Sequence, residues 1–186
     1  MKSFVEFLVE SYKYKAQKGE SEVLHHLTAN KFDTFKSFSH FGTANAARSR
    51  AFSKPKVSND TRKSDNMYSV RIKKGKTVDV DDLGTNTPQD LAVSLHKRGH
   101  ISTKEKKYVT GSSSKSDAHH NLLDVLKARK IKTMRYKNEF EDPGKHSYII
   151  THPDQVRVLR KKEHAKINLE KGEKHTSPDV FGESKG

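Results

Sequence analysis

The sequence predicts an α+β fold, and three observations carry that prediction. Residues 131–158 read as a β-hairpin: Ile131, Thr133, Met134 and Tyr136 form one β-prone run, Asp142-Pro143-Gly144 a turn, and Ser147 to Thr151 a second strand closed by Pro153. Met67 to Ile72 alternates apolar and polar residues with the period of a half-buried strand. The segments 87–99 and 118–129 instead space their apolar residues as helices do.

Composition bounds what surrounds that core. The chain has 186 residues, enough for one ordinary domain with flanking segments, and 31% of them are hydrophobic, so part of the chain lies outside any core. A formal charge of +14, with Lys and Arg spread along the whole length, gives a surface that binds nucleic acid and other polyanions non-specifically at low salt. The lack of Cys excludes a disulfide framework and cysteine-based zinc sites. No apolar run approaches the ~18 residues needed to cross a bilayer, and Glu6 and Glu10 interrupt what would have to be the apolar segment of a secretory signal. The expectation is a soluble protein made in a reducing cytoplasm, with no membrane partner.

Residues 1–16 place Phe4, Phe7, Leu8 and Tyr12 at helical spacing, with Ser3 and Glu6 in capping-box positions. The same segment, through Met1, Lys2, Ser3, Phe4, Glu6, Phe7 and the triplet Leu8-Val9-Glu10, resembles the capsid-targeting leader of the internal head proteins of T-even-type bacteriophages. That resemblance implies packaging into the prohead, cleavage between Glu10 and Ser11 by the prohead protease, and delivery into the host with the DNA. Residues 11–33 are expected to be a helical lead-in. Val23, Leu24 and Leu27 form its short apolar face, and His25-His26 lie on the solvated side, since no carboxylate or Cys stands at metal-ligand spacing.

From Thr34, Phe35, Phe38 and Phe41 surround Ser39-His40, and Gly42-Thr43 precede the helix-prone Ala44 to Arg50. A strand ending in His-x-Gly-Thr before a helix sets an imidazole beside a turn that a ligand can approach closely, although a buried His and a turn glycine give the same pattern. Residues 53–66 are polar and charged and read as a loop or mobile lid. After the strand 67–72, Lys73-Lys74-Gly75-Lys76 turns the chain into a short strand from Thr77 to Val80, ended by Asp81-Asp82-Leu83-Gly84. Thr87-Pro88 starts a helix carrying Leu91, Ala92 and Leu95 and stopped by Gly99. A Ser-rich loop, 110–116, leads to Asp117 as cap of helix 118–129, whose stripe is Leu122, Leu123, Val125 and Leu126 and whose first turn exposes His119-His120. Residues 159–186 are charged, with few apolar positions, and read as a flexible tail after a short continuation from Val156.

Taken in order, His40-Phe41-Gly42-Thr43, Tyr68 to Ile72, Asp82-Leu83-Gly84, the helix near Leu91, Tyr136-Lys137-Asn138-Glu139-Phe140-Glu141-Asp142-Pro143-Gly144, Ser147-Tyr148-Ile149-Ile150 and Pro153-Asp154-Gln155-Val156 resemble the ADP-ribosyltransferase-like domains of phage and mobile-element polyvalent proteins, distant relatives of poly-ADP-ribose polymerases and diphtheria toxin. The similarity spans residues 34–158. It implies a split antiparallel β core with flanking helices and a cleft for NAD, which is a substrate, with no metal. By the same resemblance His40, Gly42 and Thr43 contact the nicotinamide ribose and amide, Tyr68 stacks on nicotinamide, and Glu139 or Glu141 stabilises the oxocarbenium-like transition state. Glu139 and Glu141 share a face if the strand runs through them. Ser147 stands where polymerase-type relatives carry Glu.

Two functions of different classes follow. One is a virion-packaged mono-ADP-ribosyltransferase that acts on a host protein target in the host cytoplasm. The alternative is an inactive protein of the same fold that binds packaged phage DNA or inhibits a host defence protein.

Overall fold

The computed structural model describes residues 16–28, 33–53, 64–84 and 87–165. Its strands are β1 (Leu24–Thr28), β2 (His40–Phe41), β3 (Ser64–Ile72), β4 (Thr77–Asp79), β5 (Thr133–Lys137), β6 (His146–Ile150) and β7 (Val156–Ala165). Its helices are α1 (Ala44–Ser53), α2 (Pro88–Lys97), α3 (Thr103–Thr110) and α4 (Lys115–Ala128). The fold is α+β, as the sequence predicts.

The strands form two sheets, a three-stranded one in the order β1-β3-β7 and a four-stranded one in the order β2-β6-β5-β4. All pairs are antiparallel except β4 with β5, which run parallel. Parallel neighbours need a crossover, and here α2, α3 and α4 supply it. The four-stranded sheet is the middle layer because its strands alternate. Met134, Tyr136, Ile149 and Val78 face one way and join Leu91, Leu95, Val109, Leu122 and Leu126 of the helices in one core. Phe41, Tyr148 and Ile150 face the other way and join Leu24, Tyr68, Val70 and Ile72 of the three-stranded sheet, with Phe35, in a second core.

The helix ends obey local chemistry. Thr87 caps α2 by accepting the Asp90 N–H at 3.1 Å, with Pro88 in the first turn, and Gly99 ends it at φ 75°. Ser102 and Glu105 form a reciprocal capping box at α3. The fourth helix starts three residues earlier than Asp117 suggests: Ser114 is its cap, and Asp117 donates its N–H to the Ser114 hydroxyl at 3.0 Å from the first turn.

Three expectations need correction. The lead-in 11–33 is not helical at residues 24–28, which form β1 and pair along their whole length with β3; Leu24 is buried while His25 and His26 point to opposite faces, a period of two. Residues 64–66 of the expected loop 53–66 already belong to β3, and residues 54–63 lie outside the described residues. The tail expected from 159 begins as strand, since β7 pairs with β3 from Val156 to Ala165. Hydrogen bonding to β3, which would otherwise be an edge, overrides the polar composition there. In addition β3 and β4 are not partners: the turn at Lys73–Lys76 carries the chain from one sheet to the other, held by Lys73 N–H to Gln155 O at 2.8 Å and by the Thr133 hydroxyl on Lys74 O at 2.5 Å.

Candidate active site

One end of the four-stranded sheet gathers polar side chains on its helix-facing side. Antiparallel register sets Tyr136 opposite Ser147, and Phe41 opposite Tyr148, so Gly42, just beyond β2, falls opposite Ser147 in the same row. A side-chain carbon at Gly42 would collide with Ser147 Oγ and come within 3.1 Å of Ala46 Cβ, so the absent side chain is what lets the two strands and α1 close together. Gly42 also exchanges two backbone hydrogen bonds with His25, at 2.7 and 3.1 Å, which ties β1 to this end of β2.

Thr43 ends that turn and starts α1. Its hydroxyl accepts the Ala46 N–H at 3.1 Å as an N-cap and donates to the Asp142 carboxylate in the β5–β6 connection. The His-Phe-Gly-Thr turn and the acidic hairpin are thereby in direct contact. Arg50, seven residues and two helical turns beyond Thr43, returns to the same side of the helix. Its Nη1 donates to Tyr136 Oη at 2.8 Å and lies 3.4 Å from Glu141 Oε1.

Tyr136 Oη is the centre of the cluster. It lies 3.1 Å from His40 Nδ1, and the two rings meet edge-on at 5.7 Å. With Arg50 donating to this oxygen, the phenolic proton is free to go to His40 Nδ1 in the tautomer that carries the imidazole proton on Nε2. Burial pushes the Tyr136 phenol up to about 12, Arg50 opposing and Glu141 reinforcing, so it stays a neutral donor. The Glu141 carboxyl is raised above the ordinary carboxylate range, first by burial, with Arg50 pulling it down and Asp82 pushing it up.

Two residues hold unused polar capacity here. Glu141 Oε2 and both side-chain polar atoms of Asn138 are buried without a hydrogen-bond partner. Asn138 is 2% exposed, and its backbone continues the β5–β6 ladder through Lys145 O at 2.8 Å, which puts its side chain on the face of Tyr136. Buried polar groups are nearly always paired, so these atoms have hydrogen-bonding capacity to spare for a polar ligand or for water.

Of the residues read from sequence, the structure brings together His40, Gly42, Thr43 and Glu141. Glu139 stands apart: the chain bends from Glu139 onward, so residues 139 and 141 do not continue the strand, and Glu139 is exposed with its N–H on Asp82 Oδ2 at 2.9 Å. Tyr68 is 3% exposed in the second core, edge-on to Phe35 at 5.4 Å, because its strand belongs to the other sheet. The ring beside His40 is Tyr136. Glu10 and Ser11 lie outside the described residues. Tyr136, Asn138 and Asp142 stand in the hairpin motif but carry no expected site role, and neither does Arg50; the signals for them are the seven-residue step from Thr43 and the i, i+2 spacing of 134, 136 and 138.

Among the described residues, no helix is long and apolar enough to cross a membrane, and no group of three His, Asp or Glu is placed to hold a metal ion. Comparison of the chain with protein-family models, with curated proteins and with solved structures finds no match.

Proposed function

We propose that this cluster is an NAD-cleaving site of the ADP-ribosyltransferase kind, in a protein that the leader-like residues 1–10 direct into a phage capsid for injection with the DNA. The observation that supports it best is Glu141: a half-buried carboxylate with one oxygen on Arg50 and the other without a partner, next to the hydrogen-bonded His40–Tyr136 pair. In this reading Glu141 accepts a ribose hydroxyl and stabilises positive charge developing at the anomeric carbon. The bond from that carbon to the nicotinamide nitrogen breaks, its electron pair leaving with nicotinamide. An acceptor side chain on the host target then bonds to the same carbon and gives up its proton. The Gly42 turn and His40 hold the nicotinamide ribose, and Asn138 offers a donor and an acceptor to a carboxamide or a nucleobase edge.

Incubating the chain with labelled NAD and a host lysate tests this. Label transfer is expected, lost by at least ~100-fold in Glu141→Gln, since single electrostatic contributors at active sites are commonly worth that much, and largely kept in Glu139→Gln. Neither transfer nor NAD binding by the wild-type chain would sink the proposal. Mass spectrometry of purified virions tests the packaging half: a mature chain beginning at Ser11 is expected.

A further inference from the structure

At the other end of the same sheet the fold builds a basic surface from two turns far apart in sequence. Lys73, Lys74 and Lys76 lie between β3 and β4, and Arg129, Lys130 and Lys132 lie between α4 and β5. Because β4 and β5 are parallel neighbours with Thr77 opposite Thr133, the residues leading into them emerge side by side. Lys132 donates its N–H to Lys76 O at 2.9 Å, and Lys76 Nζ donates to Arg129 O at 3.1 Å. Gly75, at φ 57°, passes so close to Lys132 that an added side-chain carbon would meet that lysine's Cβ and Cγ at 2.9 Å.

Carboxylates do not neutralise this end. Glu105 holds Arg129 and Glu22 lies 3.9 Å from Lys74, but among the described residues Lys73, Lys76, Lys130 and Lys132 are in no ion pair. All four are exposed. The acidic residues Asp82, Glu139, Glu141 and Asp142 sit beyond the opposite end of β5, separated by roughly 16 Å of strand. Arg50, Lys137 and Lys145 stand among those carboxylates, so that end is close to neutral while the two lysine turns keep an excess of positive charge.

We infer that the Lys73–Lys76 and Arg129–Lys132 turns form a docking surface for the phosphate backbone of double-stranded nucleic acid. Neither turn carries an aromatic or exposed large apolar residue, and among the described residues the exposed large apolar side chains, Val93, Tyr108, Phe140 and Val158, lie elsewhere. That composition offers nothing for bases to stack on, as single-strand binding requires, and nothing to insert into a lipid interface. Flexible ammonium groups on rigid turns suit regularly spaced phosphates. Docked this way, the candidate site at the far end of the sheet stays uncovered. The inference is independent of the chemistry proposed for that site.

The test compares salt dependence of binding to a short DNA duplex, by fluorescence anisotropy, for three forms of the full chain. Replacing Lys73, Lys76, Lys130 and Lys132 together by Gln is expected to lower the slope of log affinity against log salt by about 3 to 4, at ~0.9 for each phosphate that a lysine no longer neutralises. A control replacing Lys104, Lys106, Lys107 and Lys115 on α3 and at the start of α4 removes the same charge and is expected to change the slope by less than about 1. Equal losses in the two variants would overturn the inference, as would tighter wild-type binding to a single strand of equal length or to anionic vesicles than to the duplex. Circular dichroism of both variants checks that each is folded.

Discussion

Arg50, Tyr136 and Asn138 show how single side chains convert one end of a sheet into a candidate site. Tyr136 presents one oxygen to two partners on two elements, Arg50 of α1 and His40 of β2. Tyr136→Phe keeps the ring and removes that oxygen; a loss of about 1 kcal/mol in denaturant unfolding is expected. Spectrophotometric titration of the wild type should also show one phenol ionising only near pH 12, and that late component should vanish in the variant. Asn138 gives a prediction of opposite sign. Both its polar atoms are buried and unpaired, so Asn138→Leu, of similar shape, should stabilise the fold by about 1 kcal/mol while weakening NAD binding measured by calorimetry. Such a trade is expected at a functional position and not at a structural one. Gly42→Ala should cost about 1–3 kcal/mol through overpacking on Ser147, and Ser147→Gly in the same chain should recover part of it, since contacting residues couple.

The elements differ in how plainly the sequence announced them. Helix α2 could be read directly, because Thr87-Pro88 at its start, Leu91, Ala92 and Leu95 within it and Gly99 after it all agree with one another. Helix α3 could not: Thr103–Thr110 is largely charged, buries Val109 and exposes Tyr108 at 52%, and is defined by its Ser102–Glu105 capping box more than by an apolar stripe. Strand β1 was misread because five residues are too few to separate a period of 2 from one of 3.6, and pairing with β3 decides the matter. The pairing of β4 with β5 across three helices was likewise out of reach, since nothing local records which distant strand completes a ladder. The candidate site was half legible. The His40-to-Thr43 turn and the acidic hairpin stand out as motifs, whereas Arg50 and Tyr136 look like ordinary helix and strand residues until the fold sets them together. Helix α4 supplies the clearest packing test: Leu122 is fully buried between the helices and the sheet, so Leu122→Ala should cost about 2–5 kcal/mol. Val93 on α2 is 50% exposed, and its change to Ser should stay within about 0.5 kcal/mol. Chemical denaturation of both separates core from surface.

For the molecule as a whole, two ion pairs join segments that the chain order keeps far apart, and they set its response to acid. Glu20 accepts two hydrogen bonds from Arg157 at 2.7 and 2.6 Å, fastening the segment before β1 to β7. Glu105 accepts two from Arg129 at 2.8 and 2.7 Å, locking the start of α3 to the end of α4. Hydrogen bonding to the arginine is the largest cause in each case, outweighing desolvation, and each carboxyl is held at about 2 instead of 4.5. A carboxyl whose folded value is depressed binds its proton more readily when unfolded. The stability it contributes is therefore complete above pH 4.5 and drains away as pH falls toward about 2. Asp79 and Asp81, lowered by their hydrogen bonds to Arg135 and Arg98, act in the same direction. Thermal melts should accordingly change little between pH 7 and 5 on account of these groups and then fall steeply. In a chain carrying Glu20→Gln and Glu105→Gln the melting temperature should start lower at pH 7 and decline less below pH 4.5. Parallel acid limbs in the two proteins would mean that the pairs do not control acid unfolding, and that repulsion within a chain of charge +14 does so instead.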